Sequence, residues 1–527
     1  MPDVIADPET DPRATYAVDP ARVRALTAGV VASGEPMTTH TPMTGAPLAV
    51  LPTSTATDVG VAVDRARAAQ RRWAPVPLER RARLLLDVHD LVLERQGELL
   101  DLVQLESGKA RSHAFEEVAD VAIVCRYYAR RGPAHLAPQR HLGVFPVLTR
   151  STEHHRPKGV VGIVSPWNYP LSLAVTDALP ALLAGNAVVL RPDPQGTLTA
   201  LAAVRLLVEA GFPDDLVQVA LGPGDPTGAA VVDRADYVCF TGSTATGRTV
   251  AAAAGKRLVG ASLELGGKNT VYVADDADLR RAVPGVLRAC FASAGQLCVS
   301  AERLVVHEAV ADEFLGRFLD AVSGIRLSTG LHWDADMGSL VGPAQLERVL
   351  GHVDDAVAKG ATVLTGGRAR PDVGPYVVEP TVLDGVTSAM ACRDEETFGP
   401  VVAVYRVPDD DAAVALANDT EYGLNASVWT RDVARGRALA ARIEAGTVNV
   451  NEGYAAAWGS IGSPMGGMKA SGVGRRHGRE GILKYTEAQN VSVQGLVNIA
   501  DVPGLAGEAY ARTLTGALRA MRAARLP

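Results

Sequence analysis

Residues 159–190, GVVGIVSPWNYPLSLAVTDALPALLAGNAVVL, set the strongest limit on what this chain folds into. Only one charge, Asp177, occurs in these 32 residues. A membrane-spanning helix needs about 20 continuous apolar residues, but Pro166, Asn168, Pro170, Pro180 and Gly185-Asn186 interrupt the run at short intervals. The spacing predicts strand (159–165), turn, buried helix (172–185), turn, strand (187–191). The alternation continues with a helix over 198–211, a strand at 216–222 and a short helix near 226–235. A strand at 237–242 and a helix at 246–255 follow. Short apolar strands alternating with helices form βαβ units on a parallel sheet. Such a doubly wound sheet binds ligands at the carboxyl ends of its strands.

A second alternation follows, with strands at 258–267 and 270–274, a helix at 278–293, a strand at 303–308 and a helix at 309–323. Later strands are expected at 401–407, 426–430 and 447–451. Residues 57–135 read as amphipathic helices. The expected organisation is an N-terminal arm (1–35), a first α/β domain (36–139 with 158–264) and a second α/β domain (265–486). Strands at 140–157 and 487–502 lie outside both cores, of the kind that pair across subunits, and a tail spans 503–527. In that tail Leu514, Leu518 and Met521 share one helical face, which predicts packing on a neighbouring domain, with binding to a membrane surface as the alternative. At 527 residues the length fits about three domains.

Composition excludes several functions. The formal charge of −7 disfavours nucleic-acid partners. The five cysteines (125, 239, 290, 298, 392) are scattered without a C-x-x-C pair, which argues against a disulfide framework and a zinc or other metal site. A reducing, cytoplasmic setting is expected. The opening MPDVIADPETDPR is acidic and lacks an apolar stretch, so it does not read as a signal peptide.

Chemistry concentrates in five stretches. In ASAGQLCVSAERLVV (292–306), Cys298 stands between a glycine turn and a strand; a free cysteine is usually a small core residue, but a thiol on such a turn can be presented to a substrate. SPWNYP (165–170) fixes the Asn168 amide between prolines, suited to holding an oxyanion. SLELGGKN (262–269) ends an apolar strand in Glu264, whose bland explanation is a pair with Lys268. YVCFTGSTATG (237–247) is a strand–turn–helix that can meet a phosphate through backbone N–H groups and the helix dipole. It is not a G-x-G-x-x-G fingerprint, because only Gly242 and Gly247 are present. DEETFGP (394–400) sets acidic residues beside Phe398.

Together with SPMGGMKASGVGR (463–475), these motifs resemble the aldehyde dehydrogenase superfamily in order and spacing, over about residues 40–500. The resemblance implies an aldehyde dehydrogenase-like α/β fold of two doubly wound domains with a small β element for oligomerisation, as a homodimer or homotetramer. It implies NAD(P)-dependent oxidation of an aldehyde to its acid. Cys298 would be the nucleophile, Asn168 the oxyanion donor and Glu264 the base for deacylation. Gly242 and Ser243 would contact the pyrophosphate, Trp167 and Leu265 the nicotinamide end, and Glu396 the ribose, with Phe398 beside it.

Two departures stand out. Where the family usually has Lys-Pro-x-Glu, this chain has Arg191, Pro192, Asp193 and Pro194. Losing that carboxylate favours NADP over NAD, unless Asp193 counteracts it. The second concerns substrate. The nearest resemblance is to a branch described as succinate-semialdehyde dehydrogenases, whose well-understood members hold the substrate carboxylate with arginines. Thr176 and Ala292 occupy those positions here. Arg288, Arg475 and His477 are the remaining cationic candidates, while Glu452, Tyr454 and Trp458 at the mouth suit an apolar or cationic aldehyde. An uncharged medium-chain or aromatic aldehyde is therefore the alternative to succinate semialdehyde. A CoA-acylating enzyme, disfavoured by retention of Glu264, and a non-catalytic binding or structural protein on the same scaffold, disfavoured by retention of Cys298, Glu264 and Asn168 together, are the other readings.

Overall fold

The computed structural model describes residues 16–144, 148–495, 499, 504 and 507–525. Two parallel sheets organise them. The first has the spatial order Gly472–Val473, Gly260–Glu264, Tyr237–Thr241, Val160–Ser165, Ala187–Pro192, Val217–Val219. All its neighbours run parallel except the two-residue edge strand Gly472–Val473, which pairs antiparallel with Leu263 and Glu264. The central strands Val160–Ser165 and Ala187–Pro192 are buried throughout, as expected of a parallel strand covered on both faces. The helices Ala56–Trp73, Leu78–Glu94, Gln96–Ser107 and Arg111–Leu136 share one apolar core with this sheet. Thr55 and Asp58 form a reciprocal capping box at the start of the first of them.

The second sheet has the order Thr362–Thr365, Thr381–Asp384, Val401–Val407, Ala301–His307, Asn269–Val273, Asn425–Trp429, Thr447–Val450. Only its first strand is antiparallel to its neighbour. Its separate core includes Phe291, Phe314 and Phe318, with the latter two rings stacked at 5.5 Å. A third sheet joins Thr486–Gln494, Thr149–Pro157 and Gln139–Leu142, all antiparallel.

Several expectations are corrected. The strand in 258–267 spans Gly260–Glu264 and belongs to the first sheet, because it pairs in parallel with Tyr237–Thr241. The helix expected over 172–185 is two short helices, Ser172–Val175 and Ala178–Leu183, with Thr176 and Asp177 between them. In the tail the helix is Gly507–Ala523, but it buries no residue against the chain, and Leu518 is exposed. The expected arm contains a described helix, Pro20–Thr27, capped by Asp19; its first 15 residues lie outside the described residues. Helices Pro343–Ala358 and Asp410–Asn418 are additional to those expected.

Candidate active site

A cleft of about 420 Å3 lies at the carboxyl ends of the first sheet's strands. It is lined by Trp167, Asn168, Gly242, Ser243, Glu264, Leu265, Cys298, Glu396 and Phe398, so nine residues singled out from the sequence meet in one place. Arg191, Pro192, Asp193 and Pro194 stand at the end of a neighbouring strand and do not line it.

The thiol loop is unusual in its backbone. Ser293 and Ala294 are left-handed (φ 51° and 55°), and Gly295 follows at φ 70°. A Cβ on Gly295 would lie 2.1 Å from the Gly399 carbonyl oxygen, so only glycine fits there. Strain of this kind persists only where surroundings enforce it. The enforcement is visible: Gln296 Oε1 accepts from Val341 N at 2.9 Å, its carbonyl accepts from Asn168 Nδ2 at 3.0 Å, and the Cys298 carbonyl accepts from Asn269 Nδ2 at 2.7 Å. Cys298 is half-buried, whereas the other four cysteines are buried. Burial, followed by the charges of Glu264 and Glu396, pushes its thiol up to about 12.

The loop carrying Asn168 is held from below. Lys109 Nζ donates to the Asn168 carbonyl at 2.6 Å and to Glu117 at 2.7 Å, and it lies 3.7 Å from the centre of the Tyr169 ring. Glu117 in turn accepts from Leu171 N and Ser172 N at 2.8 and 3.0 Å. This support went unnoticed in the sequence. Its signal was a run of charges, ESGKARSHAFEE (106–117), inside apolar helices.

Glu264 is buried, and its Oε1 has no hydrogen-bond partner. Burial pushes it up to about 7, against the opposing pull of Arg476 and Lys484. The pair with Lys268 does not form: Lys268 binds Glu302 and the Glu395 carbonyl. Glu302 also accepts from Thr397 N and Phe398 N, fixing the turn that presents Glu396. Glu396 accepts from Gly267 N at 2.9 Å, and burial, with Glu302 nearby, pushes it up to about 8. A Cβ on Gly266 would stand 2.5 Å from Glu396, so this glycine lets the carboxylate approach. Phe398, at φ 56°, meets Trp167 edge-on at 5.5 Å.

The residues present fit a dinucleotide. Ser243 caps the helix Thr244–Lys256 and leaves further N–H groups of its first turn for an anion. Arg191 is buried; it donates to the Gly222 carbonyl at 2.9 Å, and its Nε has no partner. Asp193 is turned toward Arg191, at 3.9 Å, and caps Gln195 N at 3.1 Å. Pro194 opens a short 3₁₀ turn.

On the other side of Cys298 lies an apolar cluster containing Tyr169, Leu173, Leu297, Tyr454 and Met465, with Trp458 packed against it. Glu116 accepts from Tyr169 and Tyr454 hydroxyls, both at 3.1 Å, and pairs with Arg288 at 2.7 Å. Every cation considered from the sequence is accounted for. Arg288 is paired with Glu116, and Arg475 donates to the Gly467 and Gly474 carbonyls. His477 is buried and pushed down to about 3, hence neutral. Thr176 accepts from Arg476 at 2.7 Å, and Ala292 belongs to the apolar cluster. Glu452 caps Ala456 N at 2.8 Å, so the carboxylate bound to the two tyrosines is Glu116.

Two parallel-sheet units with a thiol, an amide and a buried carboxylate in one nucleotide-sized cleft define a class of cofactor-dependent enzyme working through cysteine. The chain belongs to the aldehyde dehydrogenase family, whose match covers residues 30–491. It is 52% identical over 479 residues to a Mycolicibacterium smegmatis protein named "Putative succinate-semialdehyde dehydrogenase (NADP(+))", covering 91% of this chain and 93% of that one. It is 37% identical over 467 residues to the 4,4'-diapolycopene aldehyde oxidase of a Methylomonas species, covering 88% and 86%. The NAD-dependent aldehyde dehydrogenase of Sinorhizobium meliloti superposes with a TM-score of 0.85 at 34% identity, covering 89% of this chain and 93% of that one.

Proposed function

We propose that this chain oxidises an uncharged aldehyde to its carboxylic acid with NADP as the preferred cofactor and NAD as the weaker one. The observation that carries the reading is the meeting of Cys298, Asn168 and Glu264 in one cleft with Ser243 and Glu396. The Cys298 sulfur adds to the carbonyl carbon, and its proton leaves through a base, since the resting thiol is protonated at neutral pH. The Asn168 amide and the Cys298 N–H hold the resulting oxyanion; one such donor is commonly worth ~10²–10³ in rate. The nicotinamide, when bound, supplies the hydride acceptor, and Glu396 and Trp167 are placed to orient it. Glu264 then takes a proton from the water that cleaves the thioester on Cys298.

The relatives' name points to succinate semialdehyde, but the acyl pocket supports a different preference. A carboxylate desolvated beside Leu173, Leu297 and Met465 needs a cation; the cations considered for that role are engaged as described above. An aliphatic or aromatic chain loses nothing there. NADP is favoured because Pro194 carries no charge to repel a 2′-phosphate, and because Asp193 is engaged by Arg191 and Gln195. The test is a reduction screen of NADP+ and NAD+ over a panel of aldehydes with a Cys298→Ala control.

The expected organisation (36–139 with 158–264, 265–486, and strands 140–157 with 487–502) stands as part of this proposal. The strand Thr486–Gln494 has one neighbour and exposes Val491 and Val493, which supports pairing with a second copy in a homodimer or homotetramer. A cytoplasmic setting is proposed from the free thiols. Among the described residues, no helix is long and apolar enough to cross a membrane.

A further inference from the structure

Beneath Glu264 lies a buried charge cluster that the chemistry above leaves unused. Asp177 is its centre. Asp177 Oδ2 meets Arg476 Nη2 at 3.1 Å, while Oδ1 accepts from Lys484 Nζ at 3.0 Å and from the Tyr485 hydroxyl at 2.7 Å. All of these side chains are nearly inaccessible. Asp120, also buried, is a second carboxylate beside Arg476, so the two cations are shared among carboxylates, and Glu264 is a further one that they face.

The backbone puts the cluster against the Glu264 strand. Lys484 Nζ also reaches Ser262 Oγ at 3.3 Å, two residues before Glu264 and on the same strand face. Arg476 exchanges both backbone bonds with Met465, at 2.6 and 2.9 Å. The next residue, Gly466, sits so close to the carboxylate that a Cβ there would be 3.2 Å from Glu264 Oε1. That oxygen has no hydrogen-bond partner of its own. It therefore faces the cluster through field rather than contact.

We propose that Arg476, held by Asp177 and seconded by Lys484, is a positioning residue for Glu264, keeping its buried carboxylate ionised so that it can take a proton from the hydrolytic water. This rests on the catalytic reading of Glu264 above. The charged and titratable groups around Glu264 and Arg476 are Lys484, Asp177, Asp120, Arg475, the Cys298 thiol and, across the cleft, Glu396. Arg475 also stands near the carboxylate, its Cδ 3.1 Å from the same point beside Gly466, but its guanidinium is bound to the Gly467 and Gly474 carbonyls. Burial works in the opposite direction, pushing Glu264 up, with Asp177 adding to it. The cluster thus sets where between these pulls the carboxylate titrates.

The signs make the idea testable. Removing a cation moves the acid limb of deacylation to higher pH, and removing the anion moves it to lower pH. The experiment follows wild type, Arg476→Gln, Arg476→Lys, Lys484→Gln and Asp177→Asn from pH 5.5 to 9.5. It records the single-turnover burst of reduced cofactor and the steady-state rate with the best aldehyde of the panel. Arg476→Gln is expected to keep the burst while its steady-state limb moves up by about one unit or more. Arg476→Lys should return most of the way to wild type, and Asp177→Asn should move the limb down. Lys484→Gln carries the same expectation as Arg476→Gln and serves if the latter fails to fold. Burst and steady state falling together in Arg476→Gln and Lys484→Gln, with unmoved midpoints, would make the cluster structural and overturn the proposal. Loss of burst and turnover in equal measure in Glu264→Gln, run alongside, would instead bring down the catalytic reading of Glu264, and this inference with it.

Discussion

Asn168 donates its side-chain amide to the Gln296 carbonyl across 3.0 Å, and that bond ties a loop of the first sheet to the thiol loop of the second. An Asn amide has two N–H bonds, so one is spent on holding the nucleophile's loop and the other remains for a substrate oxygen. Asn168→Ala should therefore lose more than an oxyanion donor. It should lower kcat by 10²-fold or more and also slow alkylation of Cys298 by iodoacetamide. Unchanged alkylation would confine Asn168 to the oxyanion.

Cys298→Ala is expected to abolish aldehyde oxidation, whereas Cys290→Ala keeps most of it. Cys290 is buried in the second core and its thiol is held protonated by that burial. Initial rates of cofactor reduction decide the matter. Appreciable turnover by purified Cys298→Ala removes the thiol from the mechanism.

Glu264→Gln should leave a burst of about one equivalent of reduced cofactor followed by a slow steady state. The substitution takes away the base but also a charge that holds the Cys298 thiol protonated, so acylation is spared. In wild type, deacylation needs ionised Glu264, so its rate should rise with pH through a midpoint near 7. Loss of burst and turnover in equal measure would give Glu264 the task of activating the thiol.

Pro194→Glu restores a carboxylate at the start of the turn after strand Ala187–Pro192. It should raise the KM for NADP+ far more than that for NAD+. A wild-type kcat/KM tenfold in favour of NAD+, about 1.4 kcal/mol, would mean that Asp193 still governs the site despite its ties to Arg191 and Gln195.

Succinate semialdehyde should be a poor substrate beside hexanal and benzaldehyde at equal pH and ionic strength, by tenfold or more in kcat/KM. Glu116→Gln removes the anion of the tyrosine pair and frees Arg288. That variant should narrow the gap by improving the charged substrate. Wild type favouring succinate semialdehyde tenfold would reveal a carboxylate clamp that these ion pairs conceal.

Much of the site was legible because it sits on short motifs with their own local logic. A thiol after a glycine turn, a carboxylate ending an apolar strand and a strand–turn–helix each betray themselves over about ten residues. Cys298, Glu264 and Ser243 accordingly lie where the motifs suggested. Contacts across hundreds of residues were not legible. Lys109 reaches Asn168, Glu116 reaches Tyr454, and Arg476 reaches Asp177, at separations of 59, 338 and about 300 residues, and no periodicity reports such meetings. Lys268 shows the converse. It is four residues from Glu264 yet binds Glu302, because Lys268 lies beyond the Gly266-Gly267 turn and enters the other sheet's neighbourhood. The break at Thr176-Asp177 was legible in Pro180, which has no N–H for the Thr176 carbonyl four residues back. The tertiary bonds of those two side chains to Arg476, Lys484 and Tyr485 were not.

The edge strand Gly472–Val473 also bears on how the chain is made. During synthesis the strand ending in Glu264 emerges about 200 residues before its outer neighbour. Until then the nascent first sheet displays a row of unpaired backbone groups, with Glu264 at its tip. A ribosome product cut short anywhere in between would carry that sticky margin into the crowded cell, a template for aggregation. Manufacture and local order are thereby coupled: the edge at Glu264 is covered only after about 200 further residues have been delivered.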